Sequence, residues 1–150
     1  MRLNADLGEH FGDWKMGDDE QIMRYIDDAN VACGYHAGDA WVMQQTLTLT
    51  KQYKVNVGAH LAYPDLQGFG RRSMQIPRGQ LIAMIHAQIA VLEGLAKCGQ
   101  QSIQYIKPHG ALYNDMMKDT VIFETVVFAL HTYYQQYPLT VQALADNSKQ

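Results

Sequence analysis

The chain is short of cysteine, of charge and of long apolar runs, and each shortage closes off a class of protein. Cys33 and Cys98 are its two cysteines, too few for a disulfide framework and not in the CxxC spacing of a metal clip. They fit a reduced, cytoplasmic protein. Charged residues make up 18%, and the net charge is -3 with a pI near 6.0. There is thus no basic footprint for nucleic acid or an acidic membrane surface. No stretch approaches the roughly 18 uninterrupted apolar residues of a membrane helix. The opening residues Met1-Arg2-Leu3-Asn4-Ala5-Asp6 lack the apolar core of a signal peptide. Familiar site motifs are also missing. There is no HExxH, Gly68-Phe69-Gly70-Arg71-Arg72 lacks the GK[ST] ending of a P-loop, and the Gly8 to Gly12 stretch is no dinucleotide fingerprint. These absences favour a small neutral or anionic metabolite as partner.

What is present is an ordinary apolar content of 47% in 150 residues, enough for one folded domain and incompatible with disorder. Short apolar stretches end in small and polar residues, and each leads into a longer helical segment. Strands are expected at 2–7, 28–33, 55–60, 103–109 and 139–144, a spacing that suits strand–loop–helix units of an α/β protein. Asp18 reads as the cap of a helix running through Ile22, Met23 and Ile26, and Asp39 as the cap of a helix over 40–53. Pro77 fits the first turn of a long helix on which Leu81, Ile85, Ile89, Leu92 and Ala96 recur, with Gly99 as its stop. Asp119 or Thr120 opens a last helix with a stripe of Ile122, Val126, Ala129 and Tyr133. That makes about five parallel strands and four helices. The longest irregular stretch, 61–76, exceeds the usual loop length and is suspected of function on that ground.

The polar residues cluster where four of these strands end. Asn4, Asp6 and Glu9 close the first, Asn30, His36 and Asp39 the second, His60 the third, and Lys107, His109 and Asn114 the fourth. In parallel α/β folds the carboxyl ends of the strands share one rim, where active sites are built. Residues two apart on a strand share a face. Asn4 can therefore point with Asp6, and Lys107 with His109, while Leu3, Ala5 and Leu7 turn to the helices. A lysine among apolar neighbours calls for an anion, either Asp6 or a substrate carboxylate. Asp6, His36 and His60 read either as a divalent-metal site or as a hydrogen-bonded cluster needing no ion. His109 beside Lys107 reads as a general acid/base or oxyanion donor, or as a histidine satisfying carbonyls at a strand end. Arg71 and Arg72 can clamp a carboxylate or phosphate, or simply be solvated. Cys33 reads as a small buried hydrophobe.

The motifs NADLGE, FGDWKMGDDE, NVACGYHAGD, GAHLAYPDLQGFGRR and KPHGALYN, taken in order, resemble the LamB/YcsF family, whose members include the A subunits of 5-oxoprolinase. The resemblance runs from Arg2 to about Asn114. It implies an irregular, TIM-like (β/α) barrel and ATP-dependent opening of 5-oxo-L-proline to L-glutamate with partner subunits B and C. The matching positions imply Asp6, Glu9, His36 and His109 as catalytic residues. They imply Asn4, Asn30, Arg72, Lys107 and Asn114 as substrate-binding ones, with Asp6, His36 and His60 for any divalent metal. Relatives carry Pro-Gly where this chain has Leu61-Ala62, which alters loop stiffness beside His60. The family's usual length is that of a complete barrel, so 150 residues read as a single, C-terminally short domain. A half-barrel would need self-association or rearrangement to cover its edge. The alternatives are a stand-alone metal-dependent deacetylase or amidohydrolase, and a noncatalytic binding fragment.

Overall fold

Four short strands, each ending where apolar residues give way to small and polar ones, line up in sequence order. They are β1 (Asn4–Leu7), β2 (Asp28–Ala32), β3 (Asn56–Leu61) and β4 (Ile103–Pro108), all parallel in one sheet ordered β1-β2-β3-β4. This is a computed structural model, and it describes residues 2–11, 17–133 and 136–141. Neighbouring parallel strands in sequence order, with a helix after each of the later ones, form the wall pattern of a (β/α) barrel. Of the fifth expected strand, Leu139 makes one parallel bridge to Ile106, while residues 142–144 lie outside the described residues.

The helices start and stop for local reasons. α1 (Asp19–Ile22) is capped by Asp18, whose side chain accepts from the Gln21 N–H, but it is a single turn and stops short of Ile26. α2 (Ala40–Tyr53) is capped by Asp39, which accepts from the Val42 N–H at 2.8 Å. α3 (Arg78–Cys98) begins immediately after Pro77 and ends at Gly99. By length and composition α3 could cross a bilayer. Here its Leu81, Ile85, Ile89, Leu92 and Ala96 stripe is buried in the core. α4 (Gly110–Lys118) was not expected from the sequence and follows β4 directly. α5 (Thr120–Tyr133) buries Val126 and Ala129, while the Tyr133 side chain lies outside the described residues.

The two sheet faces differ in kind. Val31, Val57, Ala59 and Ile106 join the apolar core with Leu47, Ile85, Ile89 and Leu112. Leu7 is buried there as strand alternation requires, but Leu3, at 51% exposure, precedes β1 and does not reach the core. The other face carries Asn4, Asp6, Asn30, Tyr105 and Lys107, whose side chains meet one another. A register shift at Val57/Gly58 sets Tyr105 opposite Gly58. The tyrosine ring lies across that glycine, where a Cβ would stand 2.2 Å from the ring. Its hydroxyl thereby passes over β3 and donates to Asn30 Oδ1 at 2.6 Å.

Just beyond β3 the backbone of Ala62 leaves the sheet, and buried Gln88 of α3 completes its hydrogen bonding. Gln88 Oε1 accepts from the Ala62 N–H at 2.9 Å, and Nε2 donates to the Ala62 carbonyl at 3.1 Å. Gln88→Leu keeps the volume and leaves both groups unsatisfied, so it should lower stability by about 2 kcal/mol. Denaturant unfolding measures this, and a loss below about 0.5 kcal/mol would show that the pair adds no more than an ordinary surface contact.

Candidate active site

The site begins with an amide. Asn30 is fully buried, and its Nδ2 donates to Asn4 Oδ1 and to Asp6 Oδ1, both at 2.8 Å. With Tyr105 donating to its oxygen, Asn30 is occupied on both sides. Expected from the sequence to bind substrate, its amide here meets Asn4, Asp6 and Tyr105 instead of lining the cavity. Asp6 Oδ1 also accepts from Lys107 Nζ at 2.7 Å, so the anion that Lys107 calls for is Asp6. Burial pushes the Asp6 carboxyl up, but the hydrogen bonds and charges of His60 and Lys107 outweigh it and hold it well below the ordinary carboxylate range. Asp6 is therefore a firm anion and a poor proton acceptor.

Behind this pair lie three imidazoles. His36 arrives on the loop after β2, His60 sits in β3, and His109 occupies the position before α4. The His36 and His109 rings stack at 3.9 Å, and His60 meets both edge-on. His109 Nδ1 and His60 Nε2 are 3.0 Å apart. The outer nitrogens lie against backbone carbonyls, His60 Nδ1 at 3.0 Å from Lys107 O and His109 Nε2 at 2.8 Å from Phe69 O. Glu9 Oε1 is 2.9 Å from His36 Nε2 and 4.0 Å from His109 Nδ1. Burial lowers the pKa of His36, and it brings His109 down to about 4 with help from the His36 charge. Of the Asp6, His36 and His60 expected for a divalent metal, the two histidines join Glu9 and His109 in a group whose ligand atoms lie within 4.8 Å of one another, while Asp6 Oδ1, 3.4 Å from His60 Nε2, also meets Lys107 and Asn30.

The loop over 61–76 closes above the imidazoles. Asp65 is buried and accepts from the backbone N–H groups of Gly68 and Arg72 at 3.0 and 3.2 Å. It also accepts from Arg72 Nε at 2.9 Å and from Arg72 Nη2. The Arg72 hydrogen bonds hold the Asp65 carboxyl down at about 2. Arg72 is thus the clamp of its own loop, and Arg71 is the arginine that lines the cavity. Gly70 has φ +67 and presses on the rings. A Cβ there would stand 2.7 Å from His109 Cδ2 and 2.8 Å from His36 Cβ.

The resulting cavity of about 430 Å³ is lined by Asn4, Asp6, His60, Arg71, Lys107, His109, Tyr113 and Asn114, among others. That is a volume for a small metabolite. Five positions expected from the sequence to bind substrate divide three to two. Asn4, Lys107 and Asn114 line the cavity, while Asn30 and Arg72 are turned to internal partners. Asp39 serves as the cap of α2. Cys33 is a buried hydrophobe whose thiol burial pushes up to about 12. Sequence reasoning did not single out Arg71 over Arg72, nor Tyr113, as lining residues, although both lie inside the GAHLAYPDLQGFGRR and KPHGALYN motifs.

The family model for LamB/YcsF matches residues 1–149. Among individual proteins, a 5-oxoprolinase A subunit of Pseudomonas putida, the one numbered 2, is 51% identical over 147 residues, covering 98% of this chain and 57% of the relative. The 5-oxoprolinase A subunit of Vibrio campbellii is 48% identical over 149 residues, covering 99% and 59%. The crystal structure of the lactam utilization protein from Thermus thermophilus superposes with a TM-score of 0.91 at 35% identity, covering 94% of this chain and 57% of that one. The chain therefore has the α/β fold of that protein over less than two thirds of its length.

The Asp65–Arg72 clamp has a testable pH dependence. A carboxyl held at about 2 against an ordinary value of 3.8 contributes stability above the unfolded value and loses it as pH falls through the folded one. The stability difference between the chain and its Asp65→Asn variant should be constant above about pH 5 and shrink between about pH 4 and 2. Denaturant unfolding at a series of pH values measures it. A difference that does not vary with pH would mean the clamp owes nothing to the carboxylate charge.

Proposed function

The chain belongs to the LamB/YcsF family, and from that premise we propose that it forms part of a hydrolase subunit opening the cyclic amide of 5-oxo-L-proline. ATP and partner subunits B and C take part, and the product is L-glutamate. The observation that carries the reading is the convergence of Asp6, Arg71, and the neighbouring Lys107 and His109 from three segments on one small cavity. The relatives' names, which make them A subunits of 5-oxoprolinase, select the substrate among small cyclic amides.

In this reading the substrate carboxylate lies against Arg71, whose planar fork pairs two oxygens, with the Asn114 amide beside it. Lys107, held by Asp6 at 2.7 Å, presents its charge where negative charge develops on the lactam oxygen. Water adds to the carbonyl carbon, the carbon–nitrogen bond breaks, and the ring nitrogen takes up a proton. His109 with Glu9 handles those protons, because Asp6 is too weak a base. The amide is stable in water, which is the reason for coupling to ATP. The sequence has no P-loop, so the nucleotide is assigned to a partner.

The test is ATP-dependent glutamate formation from 5-oxoproline by the complex assembled around this subunit. His109→Asn should lower kcat by roughly 10²–10⁴-fold, and Asp6→Asn should abolish turnover by releasing Lys107. Arg71→Met should act mainly on KM. Unchanged turnover in His109→Asn and Asp6→Asn, with the fold intact, would remove this cavity from the reaction.

A further inference from the structure

We propose that Glu9, His36, His60 and His109 form a binding site for one divalent transition-metal ion of the zinc class. Hydrogen accounting leads there. A carbonyl oxygen only accepts, so the contacts of His60 Nδ1 with Lys107 O and of His109 Nε2 with Phe69 O put the ring hydrogens on those two nitrogens. A neutral imidazole has one N–H, so two neutral rings would leave His60 Nε2 and His109 Nδ1 bare while they face each other at 3.0 Å, and positive charge must lie against both. A proton on His60 Nε2, which also lies 3.4 Å from Asp6 Oδ1, would answer for that pair alone. It does not answer for His36, fully buried, whose Nε2 meets Glu9 Oε1 at 2.9 Å while its Nδ1 lacks a hydrogen-bond partner among the described residues.

The reach is also right. Ligand atoms about 2.0–2.1 Å from a common ion lie at most about 4.2 Å apart. The 2.9, 3.0 and 4.0 Å separations fall inside that span, and the outer limit of 4.8 Å closes with a shift of about 0.6 Å. A backbone carbonyl on the far nitrogen is the arrangement that sets tautomer and ring orientation for metal ligation. Imidazole with carboxylate suits zinc-like ions. With an ion there, His109 and Glu9 would serve the reaction as its ligands, lowering the pKa of a bound water rather than exchanging protons directly, but its binding does not rest on that reaction.

The experiment is metal binding by the chelator-stripped chain, titrated separately with Zn²⁺ and Co²⁺ and read by calorimetry and Co²⁺ visible absorption. One ion per chain is expected. Glu9→Gln, which keeps the shape, should weaken binding at least about tenfold, and His109→Asn should do so further. His131→Asn on α5, remote from the cluster, should leave binding unchanged. If His109→Asn does not fold, Glu9→Gln and the shift of the His60 and His109 ring resonances when Zn²⁺ is added to the native chain decide. No stoichiometric ion on the folded chain, or binding indifferent to these substitutions, overturns the proposal. Ion binding without 5-oxoproline turnover in the complex would instead overturn the reaction and leave the site standing.

Discussion

The ion pair between Lys107 and Asp6 ties together the two outer strands of the sheet. Asp6 is on β1 and Lys107 on β4, with β2 and β3 between them. Three inter-strand spacings of about 4.8 Å would separate these strands by about 14 Å in a flat sheet. Side chains standing parallel on such a surface would not close that gap, yet Nζ and Oδ1 are 2.7 Å apart. The sheet must curl toward the polar face, as a barrel wall does. Tyr105 and Asn30 follow the same curvature, since the tyrosine crosses β3 over Gly58 to reach the asparagine on β2. Barrel geometry and site geometry are thus one requirement.

That pair also divides the labour among the titratable groups. Asp6 is held ionised by His60 and Lys107, so it fixes charge and position and cannot exchange protons near neutral pH. The imidazoles behind it are buried, and burial keeps His36 and His109 low. A fixed ion pair in front and buried imidazoles behind leave the cavity with an anchored cation on one side. On the other side stand groups able to bind a proton or a metal ion. Neither set could be exchanged for the other without losing the property that burial and pairing give it.

The sequence showed the convergence because strand ends are easily read, and parity along a strand correctly paired Asn4 with Asp6. Parity fails once the chain leaves the strand. Gly8 turns with φ +69, and past it Glu9 comes alongside Asp6 as a second carboxylate at the imidazoles, meeting His36 where Asp6 meets His60. Arg71 and Arg72 are adjacent and chemically alike. What separates their roles is Asp65, seven residues before Arg72, which captures one and leaves the other at the cavity. The missed helix α4 has a similar cause. Its start at Gly110, with φ +53 and no capping side chain at His109, carries no start signal of the kind that marked α1 and α2. Tyr105 gave no sign of its role because only the register shift beside Gly58 places it there.

The loop over the site explains why its geometry rests on backbone more than on side chains. The Phe69 carbonyl holds His109 Nε2, and the Gly70 carbonyl accepts from the Ala111 N–H at 2.8 Å. One short turn therefore orients the histidine ring and satisfies a donor at the start of α4. Phe69 at φ +54 and Gly70 at φ +67 both sit in the left-handed region, a conformation that costs a non-glycine residue about 1–2 kcal/mol. The Asp65–Arg72 clamp, the close approach of Gly70 to His36 and the His109 contact together over-determine that turn. Ring orientation is then insulated from the residues that face the cavity. Arg71, Tyr113 and Asn114 can be altered for a different small ligand while the imidazoles stay in place, so recognition and chemistry are separable in this architecture.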